Sequence, residues 1–170
     1  MARWARGVVA SAGAVVLMST LAACSGPPEV ESVDLGEADA AACRDFVDDL
    51  PGSLAGLDRV DVEPDDALGA AWGDPAIVVT CGAAEPKDFD EVTWACQEVE
   101  GVGWFGDPSL IEAGNQDEDI TVWSLTHSPL VSVRIPSDYR PDGVPDALAG
   151  VATPLAADLD LVEPCLAPPD

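Results

Sequence analysis

The run Pro75-Ala76-Ile77-Val78-Val79-Thr80-Cys81, closed by Gly82, narrows what this chain can become more than any other segment. Its β-branched residues favour an extended backbone, and its side chains are nearly all apolar. Such a strand has no wet face, so it belongs at the centre of a sheet with cover on both sides. The remaining sequence must supply the neighbouring strands and the covering layers.

Candidate neighbours lie on either side. From Leu57 to Pro64, Leu57, Val60 and Val62 stand among Asp58, Arg59, Asp61 and Glu63, as in a strand with one wet face. Asp65-Asp66-Ala67 is expected to cap a short helical turn running through Ala71. Val92 to Cys96 and Val99 to Phe105 are weaker strands, with Gly101 and Gly103 marking a bulge or a close backbone approach. Ile120 to Thr126 and Leu130 to Ile135 form a further pair, and His127-Ser128-Pro129 suits the hairpin connection between them.

Helical spacing appears at both ends. Ala41, Ala42, Phe46, Val47 and Leu50 recur on one face from Glu37 until Pro51-Gly52 stops the helix, with Cys43 beside Phe46 and Val47. From Pro145 to Leu161 the pattern returns through Leu148, Val151, Leu155 and Leu159, where Pro154 should kink or divide it. Strands gathered between helices predict an α+β domain: a mainly antiparallel sheet of about five strands with an N-terminal and a C-terminal helix packed on it.

The segment before this domain has a different character. Arg3 and Arg6 precede an uncharged stretch of sixteen residues, Val8 to Ala23. This stretch falls short of the roughly 20 residues a membrane-spanning helix needs, and it reads as a signal peptide over residues 1–23. Leu21-Ala22-Ala23-Cys24 looks like a lipobox, in which two small residues precede a cysteine whose sulfur can take a diacylglyceryl group. The expected outcome is cleavage before Cys24 and a lipid anchor on the extracytoplasmic face of the cell membrane. Residues 24–36, with Pro27, Pro28 and acids, then read as an extended tether with a reach on the order of 35 Å, and residues 37–170 as one extracytoplasmic domain.

Charge limits the partners. All 32 acids lie after the signal and two of the seven basic residues lie within it, so the chain from Cys24 onward carries five cations and a formal charge of −27. Nucleic acid and anionic lipid surfaces would repel it. Membrane attachment therefore falls to the lipid on Cys24, and the remaining partners to consider are an envelope protein or a small ligand.

Once Cys24 is set aside, Cys43, Cys81, Cys96 and Cys165 remain, an even number that implies two disulfides in an exported chain. Three connectivities are possible. Their spacings match neither a zinc knuckle nor a redox Cys-x-x-Cys pair, and a single His is available, so neither a metal site nor a cofactor is expected.

Ala71-Trp72-Gly73-Asp74-Pro75 leading into Ile77-Val78-Val79-Thr80-Cys81-Gly82 is the most specific of several segments that form a recognisable set. The others are Leu50-Pro51, Val60 to Pro64, Gly101-Val102-Gly103-Trp104 and Val131-Ser132-Val133-Arg134-Ile135-Pro136. Together they resemble a known family, the actinobacterial lipoproteins catalogued as domain of unknown function 3515. The resemblance spans about Ala38 to Leu161, plus the lipobox. It implies that the Cys of the first helix pairs with the Cys before the Gly, which is Cys43 with Cys81 here, leaving Cys96 with Cys165. It implies no activity.

The residues themselves offer few chemical constellations. Asn115, Asp117 and Asp119 alternate like the start of a calcium loop, but Ile120 stands where the Gly belongs and Thr126 where the bidentate Glu belongs. His127 lies near Ser124 and Ser128 without a Gly-x-Ser-x-Gly elbow, so it reads as a hairpin residue. Trp72, Trp94, Trp104 and Trp123 could stack on a sugar or fill a core, and Asp74 could act as an acid or hold the turn before Pro75. Trp72, Asp74 and Trp104 are accordingly the candidate binding residues, with no catalytic set assigned.

The first expectation is a noncatalytic binding or envelope-associated lipoprotein. The alternative is a carbohydrate-active or peptidoglycan-acting enzyme that uses Asp74 or a neighbouring acid beside an open Trp face. Burial of the tryptophans separates the two.

Overall fold

The computed structural model describes residues 26–87, 89, 94, 96–111 and 115–165. The core strand expected from the sequence is present as β4, Ile77–Cys81, and every residue in it is buried. It pairs antiparallel with β3, Gly69–Trp72, on one side and with β9, Val131–Ile135, on the other. The sheet continues outward through β2 (Leu57–Val60) and β1 (Ser53–Leu54) at one edge. At the other edge lie β7 (Ile120–Trp123), β6 (Val102–Gly106) and β5 (Gln97–Val99). The order is β1-β2-β3-β4-β9-β7-β6-β5, and each strand pair in it is antiparallel. A separate two-stranded sheet joins β8 (His127–Ser128) to β10 (Asp160–Leu161).

Two helices cover one face. Helix α1, Glu37–Asp49, buries Cys43 and Phe46, and the long C-terminal helix, Gly143–Asp158, buries Ala147, Leu148, Val151, Ala152 and Leu155. These side chains meet Ala70, Trp72, Ile77, Val79, Val122, Val133 and Ile135 in one core cluster. A four-residue helix, α2 (Pro108–Ile111), makes the long helix α3 in chain order.

The opposite face shows why β4 is apolar throughout. Strand register puts Ala71 and Val78 side by side there, and Val30, from the N-terminal segment, closes over them with Val62, Ala67 and Ala76. Further along the same face β7 and β9 alternate between buried and more open positions, and Arg134 sits opposite Thr121.

The structure corrects several expectations. Among the described residues the main sheet has eight strands rather than about five. The additional ones are short, such as β1 with two residues and β5 with three, and such lengths leave no periodic signal. Residues 69–71, expected as part of a helical turn, form most of β3. Gly69-Ala70-Ala71 has little strand propensity of its own, and pairing with β4 overrides it. Pro154 does not divide the C-terminal helix, which is continuous from Gly143 to Asp158. Val99 to Phe105 is not one strand but the β5–β6 hairpin, turning at Glu100 and Gly101, both at positive φ.

The tether is extended but does not hang free. Pro28 O accepts from Glu63 N, Glu63 O accepts from Val30 N, and Gly82 O accepts from Val33 N, all at 2.8–2.9 Å. Ser32 Oγ donates to Cys81 O at 2.8 Å. Val30 is buried, which by transfer bookkeeping contributes about 1.5–3 kcal/mol. The expected signal, the expected lipobox and most of the expected strand from Val92 to Cys96 lie outside the described residues.

Candidate functional site

Trp72 ends β3 and is fully buried. Its indole Nε1 donates to Pro51 O at 3.0 Å, and the Arg59 guanidinium lies 5.7 Å above the ring. Arg59 also donates to Val47 O and Leu50 O, the open carbonyls at the end of α1. Trp72 thus joins helix end, turn and sheet, and it presents no free face.

Asp74 follows at the β3–β4 turn and is exposed. Gly73 takes φ +82° there, and Tyr139 reaches across so that its hydroxyl donates to Pro75 O at 2.7 Å. Partial burial raises the Tyr139 phenol above its ordinary value, and the charges of Asp138 and Asp74 add to the shift. Trp104 is on β6, four strands away in the sheet order, roughly 19 Å at ordinary strand spacing. It is also buried, and its Nε1 has no hydrogen-bond partner among the described residues. The fold therefore keeps Trp72 beside Asp74 and places Trp104 elsewhere. Since neither indole is open, the enzyme reading draws no support from these three residues.

The other aromatic candidates gather along β6 and β7. Trp94 and Trp123 lie 5.8 Å apart, and Phe89 makes edge contacts at 5.6 Å with both Trp94 and Phe105. Trp94 is buried and Trp123 is half-buried, with its Nε1 donating to Ala84 O at 3.2 Å.

The polar candidates have structural partners. Ser124 Oγ accepts from Val131 N and donates to Val131 O, pinning the β7–β9 hairpin. Thr126 Oγ1 donates to Gly103 O at 3.2 Å and lies 2.9 Å from His127 Nδ1. Burial lowers the His127 imidazole below its ordinary value, so it is neutral at physiological pH. Asp119, from the apparent calcium pattern, is 2.5 Å from Arg134 and accepts from Ser137 N at 3.0 Å. That backbone donor is the main cause of its lowered carboxyl pKa, with Arg134 assisting against desolvation. Asn115 Nδ2 donates to Ser109 O. Among the described residues no group of three or more His, Cys, Asp or Glu side chains could hold a metal ion.

Sequence reasoning missed a groove of about 730 Å³ between α1 and the β2–β3 connection. Val47, Val60, Val62 and Leu68 give it apolar walls, and Arg44, Asp48, Arg59, Asp61, Asp65 and Asp66 give it a rim of both signs. Its polar lining groups among the described residues are two guanidiniums and four carboxylates. A smaller depression of about 350 Å³ lies beside Tyr139, with Asp138, Asp142 and Asp146 around Arg140. Arg140 is held by its bonds to the carbonyls of Leu110 and Glu118. The groove joins α1 to residues 59–70, whose meeting left no local signal, whereas the depression is lined by residues 138–146 together with Ala55.

Two bridges complete the site inventory. Cys43 pairs with Cys81 and Cys96 with Cys165, at Cα separations of 5.6 and 5.8 Å, as the family resemblance implied. The molecule is thus a disulfide-bonded α+β domain without a recognisable catalytic constellation among its described residues. The chain belongs to the family described as "Protein of unknown function (DUF3515)", whose model matches residues 6–163. No curated protein and no solved structure matches it.

Proposed function

We propose that this chain is an extracytoplasmic lipoprotein, exported on residues 1–23 and held to the cell membrane by lipid on Cys24, whose body is a noncatalytic binding or envelope-associated module. The observation that carries this reading is the disposition of the cysteines. Four of the five are joined in two bridges, and the fifth is Cys24, directly after Leu21-Ala22-Ala23 at the close of an apolar run. Paired disulfides suit an oxidising compartment outside the cytoplasm. Each acyl methylene contributes about 0.8 kcal/mol when buried, so two or three chains hold stably without help from a protein surface.

The docked N-terminal segment gives the anchor a short leash. Pro28 is already bonded to Glu63, so four residues at most separate the docked chain from the lipid, a span of about 14 Å when fully extended. In this reading the body rides close to the bilayer with Glu29, Glu31 and Glu63 at its near end.

The test is Cys24→Ser in a native host, with acyl labelling of the wild type. The expected outcome is a labelled wild-type band and an unlabelled variant that leaves the membrane fraction with both disulfides intact. A variant that stays with membranes through a high-salt wash, or a wild type that takes up no label, overturns the proposal.

A further inference from the structure

The two disulfides sit in contrasting surroundings. Cys43 and Cys81 are completely enclosed in the main core. Cys96 and Cys165 are only partly buried. Cys165 ends a strap that leaves α3 after Asp158, places Asp160 opposite Ser128 and Leu161 opposite His127, and then donates Val162 N and Glu163 N to Thr126 O at 2.9 and 3.2 Å.

The strap has little apolar hold on the body. Leu161 and Val162 are 59 % and 60 % exposed, so beyond Leu159 the strap rests on backbone pairing and on the bridge. Beneath it lie Thr126 and His127, which are only 3 % and 6 % exposed. The bridge itself rests on strand β6: a β-carbon on Gly103 would lie 2.5 Å from Cys165 Sγ and 2.7 Å from Cys96 Sγ. The glycine is what lets both sulfurs settle there.

We propose that Cys96–Cys165 is a thiol-exchange site, and that its reduction by an extracytoplasmic dithiol releases the C-terminal strap from the Thr126–His127 edge while Cys43–Cys81 stays oxidised. One thiolate of the dithiol attacks a bridge sulfur, the S–S bond breaks, and the departing sulfur takes a proton. The second thiol of the reductant then attacks the reductant sulfur of this mixed disulfide, closing the reductant's own disulfide and expelling the remaining bridge cysteine, which takes the second proton. Two electrons and two protons pass to Cys96 and Cys165, and the dithiol is oxidised to a disulfide.

Selectivity follows from access, because an attacking thiolate must reach the sulfur, and the enclosed bridge offers no approach until the core opens. Release follows from local stability: a segment held by a few exposed backbone bonds opens readily once its covalent tie is cut. Strand β8 loses its partner β10 and becomes an open edge. This inference requires an oxidising compartment but not the lipid on Cys24, so its failure and that of the lipoprotein reading are separable.

The test treats the purified, oxidised protein with graded dithiothreitol, maps thiols by alkylation and mass spectrometry, and follows amide exchange. Cys96 and Cys165 are expected to label roughly tenfold or more faster than Cys43 and Cys81. After that step Val162 and Glu163 amides should exchange roughly tenfold or more faster, with those of Phe46 and Val79 unchanged. The chain has a single His, so the imidazole proton resonance reports the edge directly, and its titration should move up toward the ordinary 6.5 as solvent reaches His127. The double variant Cys96→Ser/Cys165→Ser should reproduce the reduced state. Simultaneous reduction of both bridges, prior loss of Cys43–Cys81, unchanged strap protection after cleavage, or global unfolding on loss of Cys96–Cys165 alone each overturns the proposal.

Discussion

Val30 closes over Gly69 so tightly that a β-carbon on the glycine would lie 2.7 Å from Val30 Cγ1 and 2.2 Å from the carbonyl oxygen of Val79. The contact connects the start of the described chain to the central strand pair β3–β4. It also explains a glycine in a buried strand, where its missing side chain would otherwise be a weakness.

Gly69→Ala should therefore be costly. The clash falls on backbone as well as on Val30, so simple rotamer adjustment cannot relieve it, and a loss of about 1–3 kcal/mol is expected from urea unfolding. Val30→Ala leaves the backbone contact intact and should cost about 1 kcal/mol from lost burial. A Gly69→Ala protein as stable as wild type would show that Gly69 does not meet Val79 and Val30 as described.

Trp72→Phe tests the post between α1 and the sheet. It removes the Nε1 bond to Pro51 O and the larger ring beneath Arg59. A loss of about 2–4 kcal/mol is expected, combining a buried hydrogen bond with unfilled volume. Trp104→Phe offers the comparison, since it discards an indole N–H that has no partner among the described residues, and the expected cost is smaller. Equal costs for the two substitutions would contradict this account.

Asp158, at the end of α3, has one enclosed carboxyl oxygen without a partner among the described residues. Desolvation raises its pKa above the ordinary 3.8, and the nearby charges of Asp49 and Asp45 on α1 raise it further. A raised carboxyl disfavours folding when ionised: the penalty is present above the folded pKa and disappears as pH falls below the unfolded value. Asp158→Asn is expected to raise the melting temperature near neutral pH and to lose that advantage at about pH 3. An advantage of equal size at both pH values would point to a cause other than charge.

Asp119 and His127 act in the opposite sense. Both have lowered folded pKa values, Asp119 chiefly through the Ser137 N–H and His127 through burial. Each contributes stability in full above its unfolded value, 3.8 for the carboxyl and 6.5 for the imidazole, and that stability is lost as pH falls through the lower folded value. His127→Gln should flatten the stability profile below about pH 6.5, and Asp119→Asn should flatten it only in the more acidic range. Profiles parallel to wild type in both variants would dismiss these two groups as contributors.

The elements that were legible in the sequence share one property: their signal is local. β4 announced itself by β-branched residues between Pro75 and Gly82, α1 and the C-terminal helix by 3.6-residue spacing, and the β7–β9 pair by two apolar runs, although β7 stops at Trp123 and His127-Ser128, expected as a turn, form β8 against β10. The disulfide pairing came from the family resemblance rather than from spacing, and the geometry agrees with it. Strand count, the conversion of residues 69–71 from turn to strand, and the burial of Trp72 and Trp104 were not legible in the same way.

By itself, then, the sequence determined the fold class, the helices at either end, the two-sided core strand and the number of cysteines available for bridging. Tertiary structure decided what those parts enclose. It laid the N-terminal segment along β3 and β4, closed both candidate indoles to solvent, opened a groove between α1 and the β2–β3 connection, and left one bridge sealed and the other within reach of solvent. The reason is that propensity and periodicity act over a few neighbouring residues. Burial and access are set by segments tens of residues apart, whose meeting is recorded in no single stretch of chain.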